Sequence, residues 1–243
     1  MKRERLDKVL ANMGKGTRKE VKALVKARLV TVDGKLATDP GMHVIPEQQE
    51  IIVDGEPLDF KRFIYIMMNK PQGVISATED NMHETVVDLL PEEWFHYKVF
   101  PVGRLDIDTE GLLLLTNDGH LSHSLLSPKK KVDKEYFARI EGRVTQEHID
   151  QFAKGVELED FTTLPARLEI LSQGETSEIR VTIMEGKFHQ VKRMFAAFGL
   201  KVVYLQRLRM GSLHLDESLE LGDYRELTEQ ELDALRNRAG DDE

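Results

Sequence analysis

Four consecutive leucines, Leu112–Leu115, lie inside the stretch "GRLDIDTEGLLLLTNDG" (103–119). Bounded by glycines and turn-forming residues, and short for a helix, the run reads as a core strand over 111–116. Asp106 and Asp108 stand directly in front of it. A carboxylate beside a core is costly unless it is paired or used, so this junction limits both how the chain folds and what it does. Taken alone, the D-x-D pattern fits Asx turns that start the strand or an acid/base pair.

The rest of the chain divides near residue 60. Leu6, Val9, Leu10 and Met13 follow helical spacing, as do Val21, Leu24, Val25 and Leu29. Between them, "GKGTRKE" supplies a glycine turn and a capping box, with Thr17 as N-cap and Glu20 three residues on. "LVTVDG" and "HVIPEQQEIIVDG" follow as strand material, and residues 59–63 read as a linker. Beyond it, strands are expected over 64–69, 98–102, 111–116, 134–141, 166–171, 178–184 and 201–215. Helices are expected over 83–90, 119–126, 145–154, 188–198 and 228–237, and 238–243 reads as a frayed tail. The fold class implied is α+β: a small N-terminal module, 1–58, and a larger domain, 64–237, built on a mainly antiparallel sheet with flanking helices.

The formal net charge of -9 is unevenly spread. Residues 1–28 hold ten Lys and Arg against three acids, which leaves 24 against 40 in the remainder. That asymmetry suggests a basic module on an acidic body, although two solvated helices with basic outer faces give the same count. With 0 cysteines, disulfides, thiol nucleophiles and thiolate metal sites are excluded together. There is no apolar signal core, and no apolar run approaches the roughly 18 residues of a membrane span. A cytoplasmic location and no membrane partner are therefore expected. No histidine spacing suits a metal, so no metal site is expected.

"RLDKVLANMGKGTRKEVKALVKARLVTVDGK" resembles the S4-like RNA-binding domain found in ribosomal small-subunit protein S4 and in several RNA-modifying enzymes. The resemblance covers residue 3 to about residue 50. It implies RNA contacts from the basic side chains, with Arg3, Arg5, Lys15, Arg18, Lys19 and Lys22 as candidates.

"DIDT" also imitates the D-x-D-x-T nucleophile loop of haloacid-dehalogenase-type phosphatases. That loop follows a buried strand, whereas the apolar run here comes after the aspartates. The wider stretch closely resembles the catalytic motif of pseudouridine synthases, in the ribosomal small-subunit (RsuA-like) branch. "MNKPQGVISAT" (68–78), "SPKKKVDKEY" (127–136), "FAKGVEL" (152–158), "EGKFHQVKRMFAAFG" (185–199) and "LQRLRMG" (205–211) match further family motifs in order.

The resemblance implies isomerisation of a uridine, with Asp106 as nucleophile and no cofactor. Lys192 falls where the family places a basic partner for the nucleophile, with Arg193 as second choice. Tyr136 matches the tyrosine that stacks on the flipped base. Arg104 is implied to touch backbone phosphate or to fill the space that base vacates; a surface ion pair with Glu110 or another acid is the alternative. Asp108 and Thr109 are expected to hold the loop's shape, and Leu205 and Arg207 to line the pocket. Lysines 129–131, with Lys134, Lys187, Lys201 and Arg209, are further candidates for phosphate contacts. His189 is expected to cap a helix or contact RNA. The partner implied is ribosomal RNA, of the small subunit in the first instance, or a subunit assembly intermediate, and the chain is expected to act as a monomer. The alternatives are a large-subunit enzyme of the same family and a non-catalytic assembly factor.

Overall fold

The computed structural model describes residues 2–239, which fall into two compact units. The first comprises residues up to Ile64 together with Pro91–Lys98. In it β1 (Glu4–Arg5) leads into α1 (Leu6–Asn12) and α2 (Arg18–Lys26), followed by β2 (Val30–Val32), β3 (Lys35–Leu36), β4 (His43–Val44), β5 (Ile51–Val53) and β6 (Glu56–Pro57). The expected capping box starts α2. Thr17 Oγ1 accepts from the Glu20 amide at 3.3 Å, and the Thr17 amide donates to the Glu20 carboxylate at 2.6 Å. Strands β3-β2-β5-β6 form one sheet, and β1 pairs with β4.

Leu6, Val9, Leu10, Val21 and Val25 turn inward against Val30, Val32, Val44, Ile51 and Val53. Arg3, Lys15, Arg18, Lys19 and Lys22 remain exposed. The helices thus hold their apolar stripes in the core and their cations in water. Arg5 differs: its Nε and Nη2 donate to the buried Asp7 carboxylate at 3.0 and 2.9 Å. Those bonds hold the Asp7 carboxyl below the usual range, so this guanidinium is engaged in structure.

The second unit runs β7 (Tyr65–Lys70), β8 (Phe100–Pro101), β9 (Glu110–Thr116), α3 (Gly119–Leu126), β10 (Lys134–Glu141), α4 (Gln146–Lys154), β11 (Arg167–Ser172), β12 (Thr176–Ile183), α5 (Gln190–Ala196), β13 (Lys201–Met210), β14 (Leu213–His214), β15 (Tyr224–Glu226) and α6 (Glu229–Ala239). One sheet of order β11-β12-β10-β13-β9-β7-β15 carries it, with β14 paired to β13 and β8 to β9. Every pairing in this sheet is antiparallel except that of β13 with β9, where Gln206 faces Glu110 and Arg207 faces Gly111 in parallel. The leucine run is the expected core strand, and β7 and β9 are buried along their whole lengths. Tyr65, Met67, Leu112 and Leu114 share one cluster with Leu121 and Leu125 of α3 and Leu235 of α6. Among the described residues no helix is long and apolar enough to cross a membrane.

Three expectations need correction. Residues 83–90 form turns, not a helix. The Thr85 amide and hydroxyl both donate to Asp88 Oδ2 at 2.8 Å, and the Asp88 amide returns a bond to Thr85 Oγ1 at 3.3 Å. Such local side-chain bonds offer the backbone an alternative to helix. The strand expected over 201–215 breaks at Gly211 (φ 60) into β13 and β14. The three-residue β15, which pairs with β7, carries too short a pattern to be read from sequence. Of the expected tail, residues 240–243 lie outside the described residues, and α6 extends to Ala239.

The parallel joint depends on Gly111. Its φ is +100, and a Cβ there would lie 2.3 Å from the Arg207 carbonyl oxygen. Gly111→Ala therefore combines a disfavoured backbone with a backbone clash. It is expected to lower stability by about 2–5 kcal/mol, read as a reduced midpoint in urea.

Candidate active site

The loop between β8 and β9 carries Asp106, and the turn after β7 grips it from beside. Lys70, the last residue of β7, is 0 % exposed. Its ammonium donates to the carbonyls of Pro71 (2.9 Å), Asp106 (3.1 Å) and Thr109 (3.0 Å). Ser76 Oγ donates to the Leu105 carbonyl and accepts from the Leu105 amide, both at 3.0 Å. The Gly73 amide donates to the Ile107 carbonyl at 2.8 Å. Four points of contact thus fix the backbone on both sides of the Asp106 side chain. Burial pushes the Lys70 ammonium down to about 8, against the pull of Asp106, Asp108 and Glu110. Sequence reasoning assigned Lys70 no role. The available signal was a lysine ending a mostly apolar strand, where an ammonium must find oxygen partners.

Asp106 opens into a cleft formed where the loop meets the sheet and the start of α5. Arg104, Thr109, Tyr136, His189, Lys192 and Leu205 line the same cleft. Three chain segments far apart in sequence are brought together there: the Asp106 loop, the centre of the β10–β13 pair and the start of α5. Lys192 Nζ bonds Asp106 Oδ2 at 3.0 Å and Asp108 Oδ1 at 2.6 Å. Burial pushes the lysine down, but the bonds to Asp108 and Asp106 outweigh it and hold the ammonium above its ordinary value. Burial likewise raises the Asp108 carboxyl, and Lys192 overrides it, leaving Asp108 below its ordinary range. The Asp106 side chain is 27 % exposed, so it is reachable from the cleft without being open to bulk water. A carboxylate beside an open cleft has the chemistry to serve as a nucleophile or as a base.

Tyr136 is 8 % exposed and Leu205 4 %, so both present only an edge or surface to the cleft. Thr109 Oγ1 is buried without a hydrogen-bond partner, which leaves it available to a ligand. Arg104 is exposed, and the alternative pair with Glu110 does not form: Glu110 accepts from the Tyr204 hydroxyl at 2.7 Å.

Several sequence-based candidates lie elsewhere. Arg207 is 1 % exposed and does not line the cleft; its Nε donates to the Leu112 carbonyl at 2.8 Å. It faces Tyr136 across the strands but lies in the core. Arg193 pairs with Asp160 and lies over the Phe161 ring, outside the cleft lining. Lys134 is buried and donates to the Val132 carbonyl at 2.8 Å; burial and the nearby Arg207 lower it to about 8. Arg209 is held by Asp133 at 2.8 Å and Glu135 at 3.6 Å. Neither Lys134 nor Arg209 stands ready for phosphate. His189 makes no side-chain cap on α5; its Nε2 lies 3.6 Å from Asp106 Oδ1.

Comparison with known proteins finds matches along most of the chain. Residues 64–197 match the family model described as RNA pseudouridylate synthase, and residues 4–51 match the S4 domain. The chain is 55% identical over 233 residues to the "Uncharacterized RNA pseudouridine synthase YtzG" of Bacillus subtilis, covering 95% of this chain and 98% of that one. It is 42% identical to "Ribosomal small subunit pseudouridine synthase A" of Escherichia coli K12, covering 94% and 98% of the two chains. A solved structure titled "Crystal structure of pseudouridylate synthase" superposes with a TM-score of 0.67 at 37% identity, covering 97% of this chain and 100% of that chain.

Replacing the buried strut tests how the loop is held. Lys70→Met leaves three carbonyls without their donor while removing a desolvated charge. A net loss of about 1–3 kcal/mol is expected, measured by urea denaturation of the full chain.

Proposed function

This chain belongs to the RNA pseudouridylate synthase family and carries an S4 domain, and from that premise we propose that it isomerises a uridine of small-subunit ribosomal RNA with Asp106 as nucleophile. The observation that carries the reading is the Asp106–Lys192 pair, 3.0 Å apart, facing the same cleft as Tyr136. The choice of RNA rests on the relatives named for the small ribosomal subunit, which are 42–43% identical over 94–96% of this chain.

The reaction breaks the bond between ribose C1′ and uracil N1, turns the base, and joins C1′ to C5. A proton leaves C5, N1 gains one, and no electrons are exchanged with a carrier. Asp106 attacks the flipped nucleotide. Lys192 holds its carboxylate in position, and Asp108 holds Lys192 from the other side. Tyr136 stacks on the base, because a nucleotide removed from its own stack needs a replacement surface. Arg104, exposed at the rim, meets the backbone phosphate. The S4 domain supplies sequence-independent affinity through Lys15, Arg18, Lys19 and Lys22.

With RNA tritiated at uracil C5, wild type is expected to release tritium from small-subunit and not large-subunit RNA. Asp106→Asn is expected to bind the same RNA and release none. Release from large-subunit RNA instead would reassign the substrate, and no release from either RNA would make the chain a binder. Replacing Lys15, Lys19 and Lys22 together by Ala should lower the slope of log affinity against log salt by about 2–3.

Lys70 adds a pH dependence. Above about 8 the neutral amine has two N–H donors for three carbonyls, so kcat is expected to fall along an alkaline limb near that value. The folded value lies below the ordinary 10.5, so the neutral form is favoured by folding. This group's effect on stability therefore improves as pH rises between those values. A drop in kcat without a matching drop in Tm from pH 8 upward is the expected signature.

A further inference from the structure

Between β12 and α5 the chain holds two aromatic rings in contact at the rim of the cleft. The Phe188 ring lies on the His189 ring with centroids 3.8 Å apart and planes 18° from parallel. Phe188 is 70 % exposed, so its other face meets solvent. His189 lines the cleft and reaches to 3.6 Å from Asp106.

The backbone there is unusual. His189 has φ 49 and ψ 30, a left-handed conformation that disfavours a residue with a side chain, and its ring forms no helix cap in compensation. The turn places the His189 ring between Asp106 and Phe188. Two exposed cations, Lys187 and Arg104, line the same cleft as His189. A flat ring stack open on one face and bordered by positive charge suits a nucleobase attached to a phosphate backbone.

We infer that the Phe188–His189 stack is the platform for the unpaired nucleotide next to the target uridine. When the target leaves its stack, its neighbour loses a stacking face, and Phe188 replaces it. The inference rests on reading the cleft as the uridine site, and it assigns the rim to a second nucleotide of the same RNA strand. Phe188 thereby selects for single-stranded context and contributes to binding, not to the chemical step.

The test uses the full chain and a short RNA containing the target uridine. It is made with an intact base or an abasic nucleotide on the 5′ side, and in a second pair on the 3′ side. Binding is measured in the Asp106→Asn background, which blocks turnover, and tritium release in the otherwise wild-type chain. Phe188→Ala is expected to weaken binding of intact RNA by about 5–150-fold, the value of one aromatic–base stack. KM should rise with it, kcat should stay within about threefold, and the salt slope should not change. The abasic RNA should lose the same factor against wild-type Phe188 at one of the two positions and lose little more with Phe188→Ala. Phe188→Trp should restore binding. Equal effects of Phe188→Ala on intact and abasic RNA at both positions would overturn the platform, as would unchanged affinity. Tritium release without coupling removes the platform and leaves the isomerase reading intact. Coupling without tritium release removes the isomerase reading and leaves the platform.

Discussion

The parallel contact of β9 with β13 is the constraint on which the second unit depends. On one side of it lie β7 and β9, which carry the Asp106 loop; on the other lie β10 and β13, which carry Tyr136 and Leu205. The two halves meet where Gly111 has no side chain, close enough that a Cβ would fall 2.3 Å from the Arg207 carbonyl. Widening that gap would move the carboxylate and the tyrosine apart by the same amount. A catalytic arrangement tolerates little of that, since small misplacements already cost rate. The cleft is therefore a property of the sheet's joint more than of any single loop.

Charge at the site is arranged in layers. Beneath the loop, Lys70 gives its protons to backbone oxygens and fixes where the chain runs. Above it, Lys192 is shared by two carboxylates, which fixes where the side chains point. One lysine holds the backbone and the other holds the side chains. Two aspartates can sit at the mouth of a buried strand because each has a cation to answer it, and this resolves the tension visible in the sequence.

Much of this was legible in the chain itself. The leucine run marks a core strand, Thr17 and Glu20 mark the cap of α2, and the order of motifs associates Asp106, Tyr136 and Lys192. What the sequence withheld were facts of register and burial. Arg207 reads as a pocket cation because L-x-R places it two residues from Leu205. The strand's alternation puts both on one face, but only Leu205 reaches the cleft, while the guanidinium bends to the Leu112 carbonyl. Lys134 and Arg209 read as phosphate ligands because charge runs look solvated, whereas Lys134 is buried and turns back to the Val132 carbonyl, and Asp133 holds Arg209. Residues 83–90 looked helical by composition, and the short-range bonds between Thr85 and Asp88 won instead.

The order of strands in the sheet has a consequence for how the protein is made. β7 is the first strand of its unit, and its outer neighbour β15 follows every other strand in the chain. During synthesis the nascent β7 must wait, its outer hydrogen-bonding groups unmatched, until nearly all of the intervening polypeptide has emerged. An unmatched strand edge is an invitation to pair with the wrong partner. The edge of β7 is therefore sealed late, by a strand that leaves the ribosome after all the others.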